Sequence, residues 1–124
     1  MSNAEYINFI KCNGYKKPKH WLSKGWEWIN HNNICAPLYW HQINSKWYEF
    51  TLYGLKKLDL NRPVCHISYY EASAYSNWSG CRLPSEQESE IFLKNYENED
   101  QKINKNILHP INTNKNSNNL WWWT

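Results

Sequence analysis

The 124-residue chain has the length of a single domain with a modest core. A net charge of +3, spread over scattered lysines, excludes the broad basic face of a nucleic-acid binder. No apolar run approaches the ~20 residues of a membrane span, and no signal-peptide pattern opens the chain, so a soluble, cytoplasmic protein is expected.

Mean hydropathy is −0.88. With nine Trp and nine Tyr, burial must come largely from aromatic rings, each covering about 150–250 Å². "SNAEYINFIKCNG" opens the chain as a helix. Ser2 and Glu5 have capping-box spacing, Tyr6, Ile7 and Ile10 form the apolar face, and Gly14 suits a left-handed C-terminal cap. "YKKPKH" (15–20) reads as a solvated loop. In the aromatic stretch that follows, Trp21, Trp26 and Trp28 are placed on a short helical turn, with Pro37 stopping any helix nearby. "KWYEFTLYG" predicts a strand running into a turn.

"RPVCHIS" is a short strand or an extended approach to the next helix. That helix, "SYYEASAYSNWSG", carries a second box at Ser68 and Glu71, a stripe of Ala72, Tyr75 and Trp78, and Gly80 as its stop. Pro84 precedes a third box, Ser85 and Glu88, opening a helix with Ile91, Phe92 and Leu93 on its buried side. Residues 97–119 are polar and Asn-rich, and are expected to form a flexible loop. The final "LWWWT" is expected to be a core strand cut short, because three tryptophans are costly to leave in water.

The side chains capable of chemistry each have a structural reading. Cys12, Cys35, Cys65 and Cys81 contain no CxxC pair and are read as free thiols. Cys65 and His66 are the residue types of thiol catalysis, but neighbours on an extended segment point to opposite faces. His20, His31, His41 and His109 lack the HxxxH or HExxH spacing that sets two imidazoles on one helical face. Glu86, Glu88 and Glu90 fall where they cap a helix and compensate its dipole. Tyr69 and Tyr70 are assigned to packing. No residue is therefore assigned a catalytic, cofactor-binding or metal-binding role.

Several motifs, in order, resemble one family. "SNAEYINFIKCNGY" resembles the "TNAEYxxFxxxGGY" opening of the formylglycine-generating-enzyme-like (sulfatase-modifying factor) domain. "PVCHISYYEASAYSNWSGCRLPSEQESE" resembles its "PVxHVSxYEAxAYxxWAGxRLPTEAEWE". "KHWLSKGWEWI", "APLYW", "FTLYGLKKLD" and "ILHP" are most similar to the iron-dependent, EgtB-type sulfoxide synthases of ergothioneine biosynthesis, and "LWWWT" resembles their "VWEWT". The resemblance implies an α+β, C-type-lectin-like fold with much irregular loop. In the synthases this domain is joined to a DinB-like helical domain, whose histidines, including an HxxxHxE element, bind Fe(II). With O₂, that iron couples a cysteine-containing thiol to trimethylhistidine and oxidises the sulfur.

The departures shape the expectation. The chain contains no HxxxHxE, and it stops before the family's "RGGS" and "RN-aromatic" segments. Ser89 stands at the Trp of "AEWE", Asn119 at the Asp of "GDVWEWT" and Trp122 at its Glu, and the stretch between His109 and Trp121 is shortened. The expected organisation is a partial formylglycine-generating-enzyme-like domain over 1–124, without a DinB-like domain or bound cofactor. The expected function is that of a truncated synthase domain without independent catalysis. One alternative is a binding module, completing a site with a separately encoded partner or self-associating through its truncated edge. Another is a diverged formylglycine-generating-type enzyme. That enzyme's paired cysteines are missing, but a thiol role for Cys65 or Cys81 stays open.

Overall fold

A computed structural model of the chain describes residues 1–96. Both the loop expected over 97–119 and the terminal "LWWWT" lie outside them, as do His109 and the Leu93 side chain. Within the described residues, four helices and one small antiparallel sheet make up an α+β arrangement: α1 (Asn3–Lys11), α2 (Ser23–His31), β1 (Trp40–Ile43), β2 (Lys46–Thr51), β3 (Gly54–Lys57), α3 (Tyr69–Trp78) and α4 (Glu86–Tyr96). Two 3-10 turns, Gly14–Lys16 and Pro18–His20, lie between α1 and α2.

The first two capping boxes form as their spacing predicts. The Ser2 amide donates to Glu5 Oε2 at 2.6 Å, and the Glu5 amide donates to Ser2 Oγ at 3.4 Å. Ser68 and Glu71 repeat this at 2.7 and 3.2 Å. Two further amides in the first turn of α1 find distant carbonyls: Asn3 donates to Arg62 at 2.9 Å and Ala4 to Leu60 at 3.0 Å. These bonds, with a bridge between Ser2 and Pro63, hold α1 against the approach to α3. The segment "RPVCHIS" is thus an approach to α3 without a strand, and it is broken at His66 by a φ of 57°.

Three expectations about α1 and α2 are corrected. The left-handed residue after α1 is Asn13 (φ 60°). Gly14 serves a different need, since a Cβ there would collide with the Phe9 ring. The buried face of α1 is Asn3, Tyr6, Ile7 and Phe9, with Ile10 only half-buried. Trp26 and Trp28 ride on α2, but Trp21 precedes it, and α2 ends at His31, well before Pro37. The lysines at 16, 17 and 19 are exposed as expected, whereas Tyr15 in the same cluster is buried.

The sheet has order β1-β2-β3. Trp40 faces Glu49, and Phe50 faces Leu55. Asn44 and Ser45 link β1 to β2 with φ of 47° and 62°, the paired positive values that a type I′ hairpin needs. Sequence reading identifies β2 but not its two short partners. At the β2–β3 turn, Thr51 Oγ1 donates to the Gly54 carbonyl and accepts from the Tyr53 amide.

The core is aromatic. Tyr6 stacks on Tyr75 with centroids 5.6 Å apart, Phe9 meets Trp78 edge-on at 5.6 Å, and Trp40 tilts against Trp47 at 5.7 Å. The expected α3 stripe of Ala72, Tyr75 and Trp78 is half-buried, and the buried positions are Glu71, Ser73, Ala74 and Ser76. Small side chains form the inward face of α3, and the large rings reach around its sides to pack. On α4, Phe92 is half-buried but Ile91 is 61% exposed, against expectation.

Candidate functional site

The most developed polar arrangement lies at the start of α3. Glu71 is only 2% exposed. Its Oε2 accepts from the Ser68 amide at 2.7 Å and the Ser68 hydroxyl at 2.9 Å. Its Oε1 accepts from the Tyr15 hydroxyl at 2.5 Å. The Tyr15 proton being engaged there, Tyr6 is the donor in the 3.1 Å contact between the two phenols. A directed chain therefore runs from Tyr6 through Tyr15 to Glu71, joining α1, the first 3-10 turn and α3. Trp21 Nε1 completes the surround by donating to the Gly14 carbonyl at 2.8 Å.

This chain acts as a brace. Burial raises the Tyr6 phenol well above its ordinary range, with the Glu71 charge next, and burial followed by Tyr6 does the same to Tyr15. Both hydroxyls stay protonated at neutral pH, so neither serves as a base or nucleophile. Sequence reading treats Glu71 as a cap alone and assigns Tyr15 nothing. The S-x-x-E spacing reveals one oxygen's work, but no local signal pairs Glu71 with a tyrosine 56 positions away.

Cys65 and His66 do not form a nucleophile–base pair. The Cys65 thiol donates to the Pro63 carbonyl at 3.4 Å. Burial, assisted by Glu49, pushes it up to about 11, so the thiolate is scarce near pH 7. His66 is exposed and meets the Tyr39 ring edge-on, centroids 5.0 Å apart. All four cysteines are free thiols.

The α4 carboxylates sit at its first turns as expected. Glu88 accepts from the Ser85 amide at 2.8 Å and pairs with Arg82 through both oxygens at 2.6 and 2.7 Å. The Arg82 guanidinium, then the Ser85 amide, lowers Glu88 to about 2, keeping it an anion. Glu86 and Glu90 are exposed, as is Tyr69, while Tyr70 is half-buried beside Trp28. His20, half-buried, is lowered by burial and then by Lys19 and Lys17. Among the described residues no three His, Cys, Asp or Glu side chains converge on a point where a metal ion could sit. The donor set of residues 1–96 therefore does not fit the iron of the resembled synthases. Nor is any described helix long and apolar enough to cross a membrane.

Comparison with known proteins finds relatives in the resembled family. Hercynine oxygenase of Mycolicibacterium smegmatis is 34% identical over 91 residues, which is 73% of this chain and 20% of that protein. Ergothioneine biosynthesis protein 1 of Schizosaccharomyces pombe is 31% identical across the whole chain, covering 16% of its own length. Formylglycine-generating enzyme of Thermomonospora curvata is 29% identical over 73% of the chain and 34% of its own length. The chain thus spans about a fifth of the length of the hercynine oxygenases it matches. The sulfatase-modifying factor enzyme 1-like domain matches residues 1–122, and the chain belongs to that family.

Proposed function

We propose that residues 1–96 are scaffold: the N-terminal portion of a lectin-like domain of the kind found in ergothioneine-pathway sulfoxide synthases, with no iron or catalysis of its own. In this reading the whole chain is a partial domain, and 97–119 is a loop within it. The iron and the substrate-facing groups come from polypeptide beyond this chain, in the same protein or separately encoded.

The observation that carries this reading is the employment of the polar side chains. Glu5, Glu71 and Glu88 are all engaged in helix caps. The thiol nearest a histidine is held protonated, and among the described residues no three His, Cys, Asp or Glu side chains gather at one point. Similarity to a fifth of a hercynine oxygenase supports the assignment to that pathway.

The test is an assay of the purified chain with Fe(II), O₂, trimethylhistidine and a cysteine-containing thiol, followed by mass spectrometry. No sulfoxide should form. Its formation above the protein-free rate would refute the scaffold reading.

A further inference from the structure

An antiparallel sheet with one face in water ordinarily turns polar residues outward. Here the inner face holds Trp40 and Glu49, both buried. Register places Phe50 beside Leu55 on the outer face, with Tyr48 and His41 next along it and Ile43 at its far end, and Phe50 is 56% and Leu55 47% exposed. Lys46 and Lys57 share that face, Lys46 opposite Ile43 and Lys57 opposite Tyr48. The only carboxylate in the three strands, Glu49, lies on the other side. The outer surface is therefore an apolar patch with cationic flanks, and neither lysine has an ion-pair partner among the described residues.

α4 presents the complement. Glu86 and Glu90, one turn apart, lie along one exposed stripe, and Ile91, 61% exposed, lies beside it. Glu88 is engaged with Arg82 and the Ser85 amide and is not part of this surface. We propose that α4 of one copy of the chain docks on the outer sheet face of a second copy. Ile91 would lie against Phe50 and Leu55, with Glu86 and Glu90 meeting Lys46 and Lys57. Packing two sheet faces together is disfavoured, because it sets the same lysines against each other. A helix-to-sheet contact is heterologous, so assembly continues beyond two copies unless the geometry closes a ring. This inference does not depend on the enzyme family.

Sedimentation velocity of the full chain at low salt over a range of micromolar concentrations tests it. Average mass should rise with concentration, and 0.5 M salt should reverse the rise. Two charge reversals, Lys46→Glu with Lys57→Glu and Glu86→Lys with Glu90→Lys, should each weaken association about tenfold or more. An equimolar mixture of the two should associate again, since each restores the other's missing charge. Circular dichroism matching the parent establishes that the variants fold. Should either double reversal unfold, Leu55→Ser reads the apolar half of the contact and should also lower the mass. A monomer at every concentration, charge variants that associate like the parent, or a mixture of folded variants that stays monomeric would each overturn the proposal.

Discussion

Two helix starts in this molecule share one sequence pattern and differ in everything around it. At α3, Ser68 and Glu71 cap the helix inside the core, where the second carboxylate oxygen receives Tyr15. At α4, Ser85 and Glu88 make the same pair of amide contacts in solvent, and the spare carboxylate capacity goes to exposed Arg82. The S-x-x-E spacing is thus a statement about the local backbone only. Its value to the fold depends on the dielectric around it, because a buried acceptor that loses a partner cannot turn to water.

Removing the buried carboxylate is the severest test of that contrast. Glu71→Ala removes the acceptor of the Ser68 amide, worth about 1 kcal/mol, and leaves the buried Tyr15 O–H without an acceptor at about 1–3 kcal/mol. The sum, about 2–4 kcal/mol, should appear as a lower denaturant midpoint, and a midpoint matching that of Ser85→Ala would erase the distinction between the two sites.

Gly14→Ala probes the same region through shape. The added methyl meets the Phe9 ring, and overpacking of this kind costs about 1–3 kcal/mol. Phe9→Leu in the Gly14→Ala background should recover part of the loss. No recovery would mean that the glycine is needed for another reason.

Tyr15→Phe keeps the ring and removes the hydroxyl, leaving Tyr6 without its acceptor and Glu71 Oε1 without its donor. A loss of about 1–2 kcal/mol is expected. Alkaline titration reads the same brace differently. Tyr6 and Tyr15 are raised in the folded state, so their contribution is complete below the ordinary phenol value near 10 and is lost as pH climbs above it. Cys65 adds a loss between its ordinary value near 9 and about 11. Absorbance at 295 nm should show these two tyrosines ionising together with unfolding. Ionisation of every tyrosine before circular dichroism changes would contradict the brace.

Ser85→Ala is milder still, at about 0.5–1 kcal/mol. Replacing exposed Arg82 with Ala should leave the melting temperature unchanged within error.

Legibility in the sequence followed the range of the interactions. The boxes at Ser2, Ser68 and Ser85, strand β2 and the family motifs all lie within a few residues of the positions they organise. Each was readable from spacing. β1 and β3 escaped because four-residue strands have too little periodicity to announce themselves, and their partners define them. Gly14 read as a turn residue because a glycine's need for space is invisible until the ring that fills that space is known. Ile91 read as buried because its helix is amphipathic in pattern, and only the absence of a described neighbour over it leaves it in water. At the candidate site, the alternation expected for Cys65 and His66 does not apply as such, because His66 takes a left-handed φ of 57° and the extended run breaks there. The Tyr6–Tyr15–Glu71 brace had no comparable signal.

Sequence was sufficient for the capped starts of α1, α3 and α4, the α+β class, the aromatic character of the core and family membership, all of which rest on local hydrogen bonding, composition or ordered motifs. Tertiary structure decided which of three identical caps is buried, which phenol gives its proton to which oxygen, and which sheet face stays apolar in water. Those outcomes depend on groups brought together from positions up to 56 residues apart, and their energies are set by what surrounds them in space.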